Sequence, residues 1–211
     1  MISKVVSAIQ SNLLVCFPTE TVYALACNAL NSEAIEEIYK VKKRSQNKPL
    51  SIFVSSVCDL MKIAEVKKEY ISLVNHFSPG PITYILPLKN GVLPSKFFKN
   101  SIGIRIPNHW TAISILNQLK AQIIATSINI SGEKSVCRAG DIPQDIRQHL
   151  SAVIEDDELV SGMESTIIDL TKDEIRIIRK GKISLQTINN VLRRENEKSY
   201  RSYSSQKEIN G

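Results

Sequence analysis

Short apolar runs, each stopped by a proline or by a cluster of hydroxyl side chains, recur along this chain at irregular spacing. "LLVCF" (13–17) ends at Pro18, "SIGIRI" (101–106) ends at Pro107, and "QIIA" (122–125) runs into Thr126, Ser127, Asn129 and Ser131. Runs of this length suit strands buried in a sheet. "PLSIFV" (49–54) and "ITYILPL" (82–88) read the same way, and "STIIDL" and "EIRIIRKG" read as a hairpin joined around Thr171 to Asp173. Helical spacing covers 2–10, a segment from Ser32 to Lys42, 67–77, 109–120 and 184–193. Ser32 is the expected N-cap of the second helix, with Glu33, Glu36 and Glu37 early in it, where the dipole favours negative charge. Strands and helices do not alternate strictly, so the pattern predicts an α/β (α+β) domain with a mixed sheet and not a doubly wound one.

A chain of 211 residues that is 43% hydrophobic can bury one substantial core. The expected organisation is one domain over 1–193 and a polar, mobile tail over 194–211. Cys16, Cys27, Cys58 and Cys137 form no C-x-x-C pair, and the three histidines show no metal spacing, so neither a metal site nor a disulfide framework is indicated. Cys16 and Cys27 read as core thiols, and His76 and His109 as surface or helix-cap residues. The N-terminal apolar stretch is broken by Gln10, Ser11 and Asn12, unlike a signal peptide, and no run approaches the ~20 apolar residues of a membrane span. The expectation is a reduced, soluble, cytoplasmic protein with no membrane partner.

The formal net charge is +6, and residues 40–48 carry Lys40, Lys42, Lys43, Arg44 and Lys48 with no acid among them. Cations in the last turn of a helix are stabilised by its dipole, which is the simpler account of the first four. It does not extend to Lys48, beyond the helix end and directly before Pro49. Clustered Arg and Lys suit a polyphosphate or an RNA backbone. Yet the chain has no G-x-x-x-x-G-K-[ST] and no G-x-G-x-x-G, so side chains and loops must hold any nucleotide. Hydroxyl-rich loops follow three of the strands: Thr19, Thr21 and Tyr23; Thr126, Ser127 and Ser131; Ser165 and Thr166. Each alone reads as a turn with self-bonded hydroxyls.

Six segments in order, "FPTETVYALACNA", "KKRSQNKPL", "SPGPITYIL", "IGIRIPNH", "ATSINISG" and "ESTIIDL...IIRKG", resemble the YrdC-type threonylcarbamoyl-AMP synthase family over about residues 13–183. The chain resembles the short form, without the extra C-terminal domain of longer members. The resemblance implies a curved mixed sheet with a large, positively charged concave cavity. It implies condensation of L-threonine, bicarbonate or carbon dioxide, and ATP into threonylcarbamoyl-AMP and pyrophosphate. Mg2+ would come with the ATP, and a downstream threonylcarbamoyl transferase complex would carry the product to tRNA beside the anticodon.

Carried over by the resemblance, Lys42, Arg44, Ser127 and Asn129 form the catalytic core. Lys48, Ser101, Ser135 and Arg179 join Arg44 and Ser127 in binding ATP, and Thr21, Arg105, Ser165 and the backbone at Ala125 contact threonine. Ser45, Ala24 and Ser78 stand where many members have Pro, Gly and Trp, and Phe53 where longer members often have His.

Both reactants of that condensation are anions, so charge neutralisation and alignment come first. Lys42, Arg44, Lys48, Arg105 and Arg179 can supply them, Lys42 and Arg44 clamping the triphosphate, and no carboxylate base is called for. Two alternatives stand beside this reading. One is a non-enzymatic module that binds duplex RNA or tRNA directly, or a ribosome-maturation factor; 6% aromatic content and hydroxyl-rich loops argue against it. The other is carbamoyl transfer, as in the related domain of hydrogenase-maturation carbamoyltransferases, which comes with additional modules.

Overall fold

The computed structural model describes residues 1–119 and 121–194. In chain order its elements are α1 (Ile2–Gln10), β1 (Val15–Phe17), β2 (Ala24–Asn28), α2 (Ser32–Val41), β3 (Ser51–Phe53), α3 (Val57–Ile63), α4 (Ile71–Phe77), β4 (Ile82–Pro87), β5 (Ser101–Arg105), α5 (Trp110–Leu119), β6 (Ile123–Ser127), α6 (Gln144–Arg147), β7 (Ala152–Val153), β8 (Thr166–Asp169) and β9 (Arg176–Arg179). A further helix covers 185–194, and the expected tail beyond it lies outside the described residues. Among the described residues, nine strands make one mixed sheet in the order β7-β1-β2-β6-β3-β5-β4-β8-β9. The pairs β1/β7, β3/β5 and β4/β8 are parallel and the rest antiparallel. Among the described residues no helix is long and apolar enough to cross a membrane.

Strand β1, most of β2 and the first residues of β6 are apolar because both faces of the sheet are covered there. Val15, Phe17, Ala24, Ala26, Ile123 and Ala125 point to one side, where α1 and α5 bury them with Ile9, Ile115 and Leu116. Their neighbours Cys16, Leu25, Cys27 and Ile124 point to the other, into a larger core with Ile35, Ile38 and Leu60. Burial pushes the Cys16 and Cys27 thiols well above their ordinary pKa, in keeping with core thiols.

Several local readings need correction. Strand β2 was hidden in a segment read as a loop: its alanines have little strand preference, and pairing on both edges with burial on both faces holds it extended. Helix α3, started by Ser56 Oγ accepting the Asp59 N–H at 3.1 Å, was not anticipated. The helix expected over 67–77 begins with a 3₁₀ turn at Lys68–Tyr70 before α4. The N-cap of α2 is Asn31, not Ser32; its Oδ1 accepts the Ala34 N–H at 2.7 Å.

The end of α2 aims the site. Lys43 takes a left-handed φ of 49°. Its N–H then reaches Lys40 O at 3.0 Å, and that of Arg44 reaches Tyr39 O at 2.8 Å. This Schellman-type stop turns the chain sharply, so that Arg44 leaves the helix toward the sheet.

Candidate functional site

Register alone gathers one face of the sheet. Ser51 lies opposite Ala125 and Gly103, Phe53 opposite Ile123 and Arg105, Ala24 opposite Ser127, and Ile167 between Thr83 and Arg179. Cross-strand partners share a face, so these residues continue the surface that α1 and α5 cover at β1 and β2. Where the apolar layer stops, the same face turns to arginine and hydroxyl side chains and floors a cavity of about 140 Å³. The loop Thr19–Tyr23, the segment from Arg44 to Leu50, and Glu164 with Ser165 form its walls.

Three guanidinium groups line the cavity, those of Arg44, Arg105 and Arg179. Arg44 donates through Nε to Lys48 O (3.2 Å) and through Nη2 to Pro49 O (2.8 Å), so its own loop holds it in place. Arg105, 4% exposed, pairs with Glu20 at 2.8 Å and lies 5.4 Å from the centre of the Phe53 ring. Phe53 thus offers a π-face to a cation. Arg179 pairs with Glu164 at 2.6 Å and donates to Ser165 Oγ (2.9 Å) and Ser165 O (3.1 Å). Burial lowers Arg44 and Arg179 from the ordinary guanidinium range, and the Glu164 charge opposes that shift at both. Both remain cations.

Lys42 differs from the expectation that its charge stands open to phosphate. It is 1% exposed, and its Nζ donates to Ser127 O, to Asn129 O (2.7 Å) and to Asn129 Oδ1 (3.0 Å). Its own carbonyl accepts the Ser131 N–H at 2.8 Å. Lys42 therefore ties the Ser127–Ser131 loop to the end of α2 from behind the cavity wall. Burial pulls its pKa down to about 7, with the Arg44 charge pulling the same way, while three oxygen acceptors hold on to the ammonium form. Asn129 is buried too; it accepts from Ser127 Oγ at 2.7 Å and donates to Glu133 O at 2.7 Å.

Of the other residues named from sequence, Thr21, Ala125, Ser127 and Ser165 line the cavity. Ser135 stands beside it, its Oγ donating to Glu164 Oε1 at 2.5 Å. Lys48 has an exposed side chain and contributes its carbonyl, which accepts from Arg44 and from Tyr39. Ser101 is exposed at the far end of β5, four residues from Arg105 and thus about 13 Å along the strand. Thr19 matches the simple turn reading: its Oγ1 donates to Val22 O at 2.7 Å and accepts the Thr21 and Val22 N–H groups. His109 caps the start of α5, its Nδ1 accepting the Thr111 N–H at 3.2 Å.

Glu20, Glu164 and Thr83 belong to the site and were not singled out from sequence. Thr83 Oγ1 lies 2.9 Å from Ser165 Oγ. The available signal was an acid set among hydroxyls in "TET" and "EST", which matters only once an arginine is known to face it.

Gly181 keeps the Glu164–Ser165 segment against β9. A Cβ there would lie 2.3 Å from Glu164 O and 2.4 Å from Thr166 N, both backbone atoms that cannot rotate away. Gly181→Ala is expected to cost about 2–3 kcal/mol in urea unfolding. An unchanged midpoint would mean the segment moves freely.

The comparisons bear on this geometry. Residues 7–181 match the Sua5/YciO/YrdC family model, described as "Telomere recombination". The threonylcarbamoyl-AMP synthase of Pyrococcus abyssi is 35% identical over 187 residues, covering 87% of this chain and 55% of that protein. The Bacillus subtilis protein of the same name is 29% identical over 194 residues, covering 90% of this chain and 56% of that one. A crystal structure of P. abyssi Sua5 complexed with L-threonine superposes with a TM-score of 0.85 at 34% identity, over 90% of this chain and 56% of that one. The chain therefore spans just over half the length of these relatives. A match over residues 7–181, with a sheet and a cavity built from the segments that carry the sequence resemblance, shows that the chain belongs to the Sua5/YciO/YrdC family.

Proposed function

We propose that this chain condenses L-threonine, bicarbonate or carbon dioxide, and ATP into L-threonylcarbamoyladenylate and pyrophosphate. The observation that carries the reading is the convergence of Arg44, Arg105 and Arg179 with the hydroxyls of Thr21, Ser127 and Ser165 on one cavity. The neutral amine of threonine adds through its lone pair to the carbon of carbon dioxide, one C=O π bond passing to oxygen, and loses a proton to solvent to give a carbamate. A carbamate oxygen then attacks the α-phosphorus of ATP; as the new P–O bond forms, the bond to the oxygen bridging α- and β-phosphorus breaks. That oxygen keeps the electron pair and leaves on pyrophosphate.

Arg44 neutralises the phosphates, with Ser127 Oγ positioned beside them, and Arg179 and Ser135 extend the same anion site. Lys48 and Ser101, also expected at ATP, stand off the cavity wall and enter this reading only if the nucleotide extends toward them. Arg105, Thr21, Ser165 and the Ala125 backbone hold the amino acid, in line with the L-threonine carried by the P. abyssi structure. Lys42 and Asn129 act as positioning residues for Ser127. A Mg2+ would arrive with the phosphates and its own waters: the polar side chains of the lining are hydroxyl and guanidinium apart from the Glu164 carboxylate, which Arg179 and Ser135 already hold. Such an ion supplies charge neutralisation at the phosphates. The product is a reactive mixed anhydride, suited to a separate transferase that passes the acyl group to tRNA.

The test is pyrophosphate release from ATP and Mg2+. Release is expected only when threonine and bicarbonate are both present. Release that ignores threonine, or tight duplex-RNA binding with no adenylate formed, would refute the reading.

A further inference from the structure

Each of two arginines in the cavity already has a carboxylate of its own. The Arg105–Glu20 pair is deeply buried, with side chains 5% and 12% exposed, whereas the Arg179–Glu164 pair is 38% and 32% exposed. Breaking a buried pair strands a charge in low dielectric and is costly; a pair with this much exposure is weak. Among the described residues the partners of Arg44 are backbone carbonyls, which accept from Nε and Nη2 without neutralising its charge. An anion entering the cavity therefore meets Arg44 without a counter-charge in contact, Arg105 with Glu20 buried beside it, and Arg179 held by a carboxylate that can yield.

Glu164 sits where such an anion would go. It lines the cavity, its Oε2 lies 2.6 Å from Arg179 Nη1, and its Oε1 accepts from Ser135 Oγ at 2.5 Å. It lies one residue before the end of an irregular segment that runs from 154 to 165. That segment is fastened over the Glu20–Tyr23 loop: Ser161 Oγ donates to Glu20 O (2.8 Å), Gly162 N–H to Thr21 O (2.8 Å), and Tyr23 Oη to Asp157 Oδ1 (2.6 Å).

We propose that Glu164 is an internal anion occupying the phosphate subsite of the cavity, and that a polyphosphate displaces it from Arg179 and Ser135, loosening the 161–164 strap. The inference rests on the anion-binding reading of the cavity and names how that site is gated. Phosphate oxygens offer Arg179 more charge and a better fork than one carboxylate does. When pyrophosphate departs, Glu164 returns to the arginine and opposes its rebinding.

The experiment titrates inorganic pyrophosphate with Mg2+ into the wild type and into Glu164→Gln by calorimetry, with hydrogen exchange followed at the Gly162 amide. Glu164→Gln is expected to bind pyrophosphate roughly fivefold more tightly, the upper range for a partly exposed pair. Glu164→Ala gives the same sign. In the wild type, pyrophosphate is expected to speed exchange at Gly162. Unchanged or weaker binding in both variants, or no binding by any form, overturns the proposal; weaker binding would make Glu164 a support for Arg179 and Ser135. Because these readouts need no turnover, a wild type that binds pyrophosphate but shows no threonine-dependent release refutes the synthase reading and leaves the displacement of Glu164 standing.

Discussion

Replacing Lys42 with Met is expected to lower the free energy of unfolding by roughly 2–4 kcal/mol and turnover by about a hundredfold. Met nearly matches the lysine in length but donates nothing, so Ser127 O and Asn129 O lose the ammonium that now binds them. Each stranded buried acceptor costs about 1–3 kcal/mol, and removing a buried charge offsets part of that. The loss of turnover follows from the loop: Ser127 reaches the cavity while its carbonyl is tied to Lys42.

The pH dependence has a definite sign. Lys42 falls from 10.5 to about 7 on folding, so between those values the unfolded chain binds more protons than the folded one, and stability from this group rises with pH. It is fully present above 10.5 and lost as pH falls through about 7. The stability gap between wild type and Lys42→Met should therefore widen from neutral to alkaline pH, by at most ~1.4 kcal/mol per pH unit. Denaturant titrations of both proteins across that range measure it. A flat gap would mean that the three oxygens keep the ammonium at its ordinary basicity.

Arg44→Ala is expected to reduce kcat/KM about a thousandfold, the upper range for removing one preorganised charged donor. The fold should survive, with a change in unfolding free energy of about 1 kcal/mol, since among the described residues the side chain bonds to carbonyls of its own exposed loop. Arg44→Lys should not restore activity, because an ammonium cannot hold Lys48 O and Pro49 O and still offer a planar fork to phosphate. Kinetics beside a thermal melt separate the outcomes. Wild-type activity in Arg44→Ala would remove it from the phosphate site, and loss of the fold would make it a structural helix-end cation.

The contrast between Lys42 and Arg44 shows how far the site was legible in sequence. Both lie in one basic run, and composition cannot say which faces the cavity. The left-handed turn at Lys43 separates them: Lys42 ends the helix against the Ser127 loop, and Arg44 emerges beyond it. The hydroxyl-rich loops, separate in sequence, come together in the structure, since Thr21, Ser127 and Ser165 all line the cavity. Ser101 shows the limit, because a strand residue's distance from a site depends on which end of the strand meets it.

Local pattern by itself determined most strands, the larger helices and the mixed sheet class, because side-chain period and turn chemistry act over a few residues and are written in order along the chain. Tertiary structure alone decided β2, whose alanines become a strand only between two partners. It also decided the pairing of Glu20 with Arg105 and of Glu164 with Arg179, across 85 and 15 residues of chain respectively. Such charge pairs act through space at a few ångströms, a separation set by the sheet order and not by sequence distance.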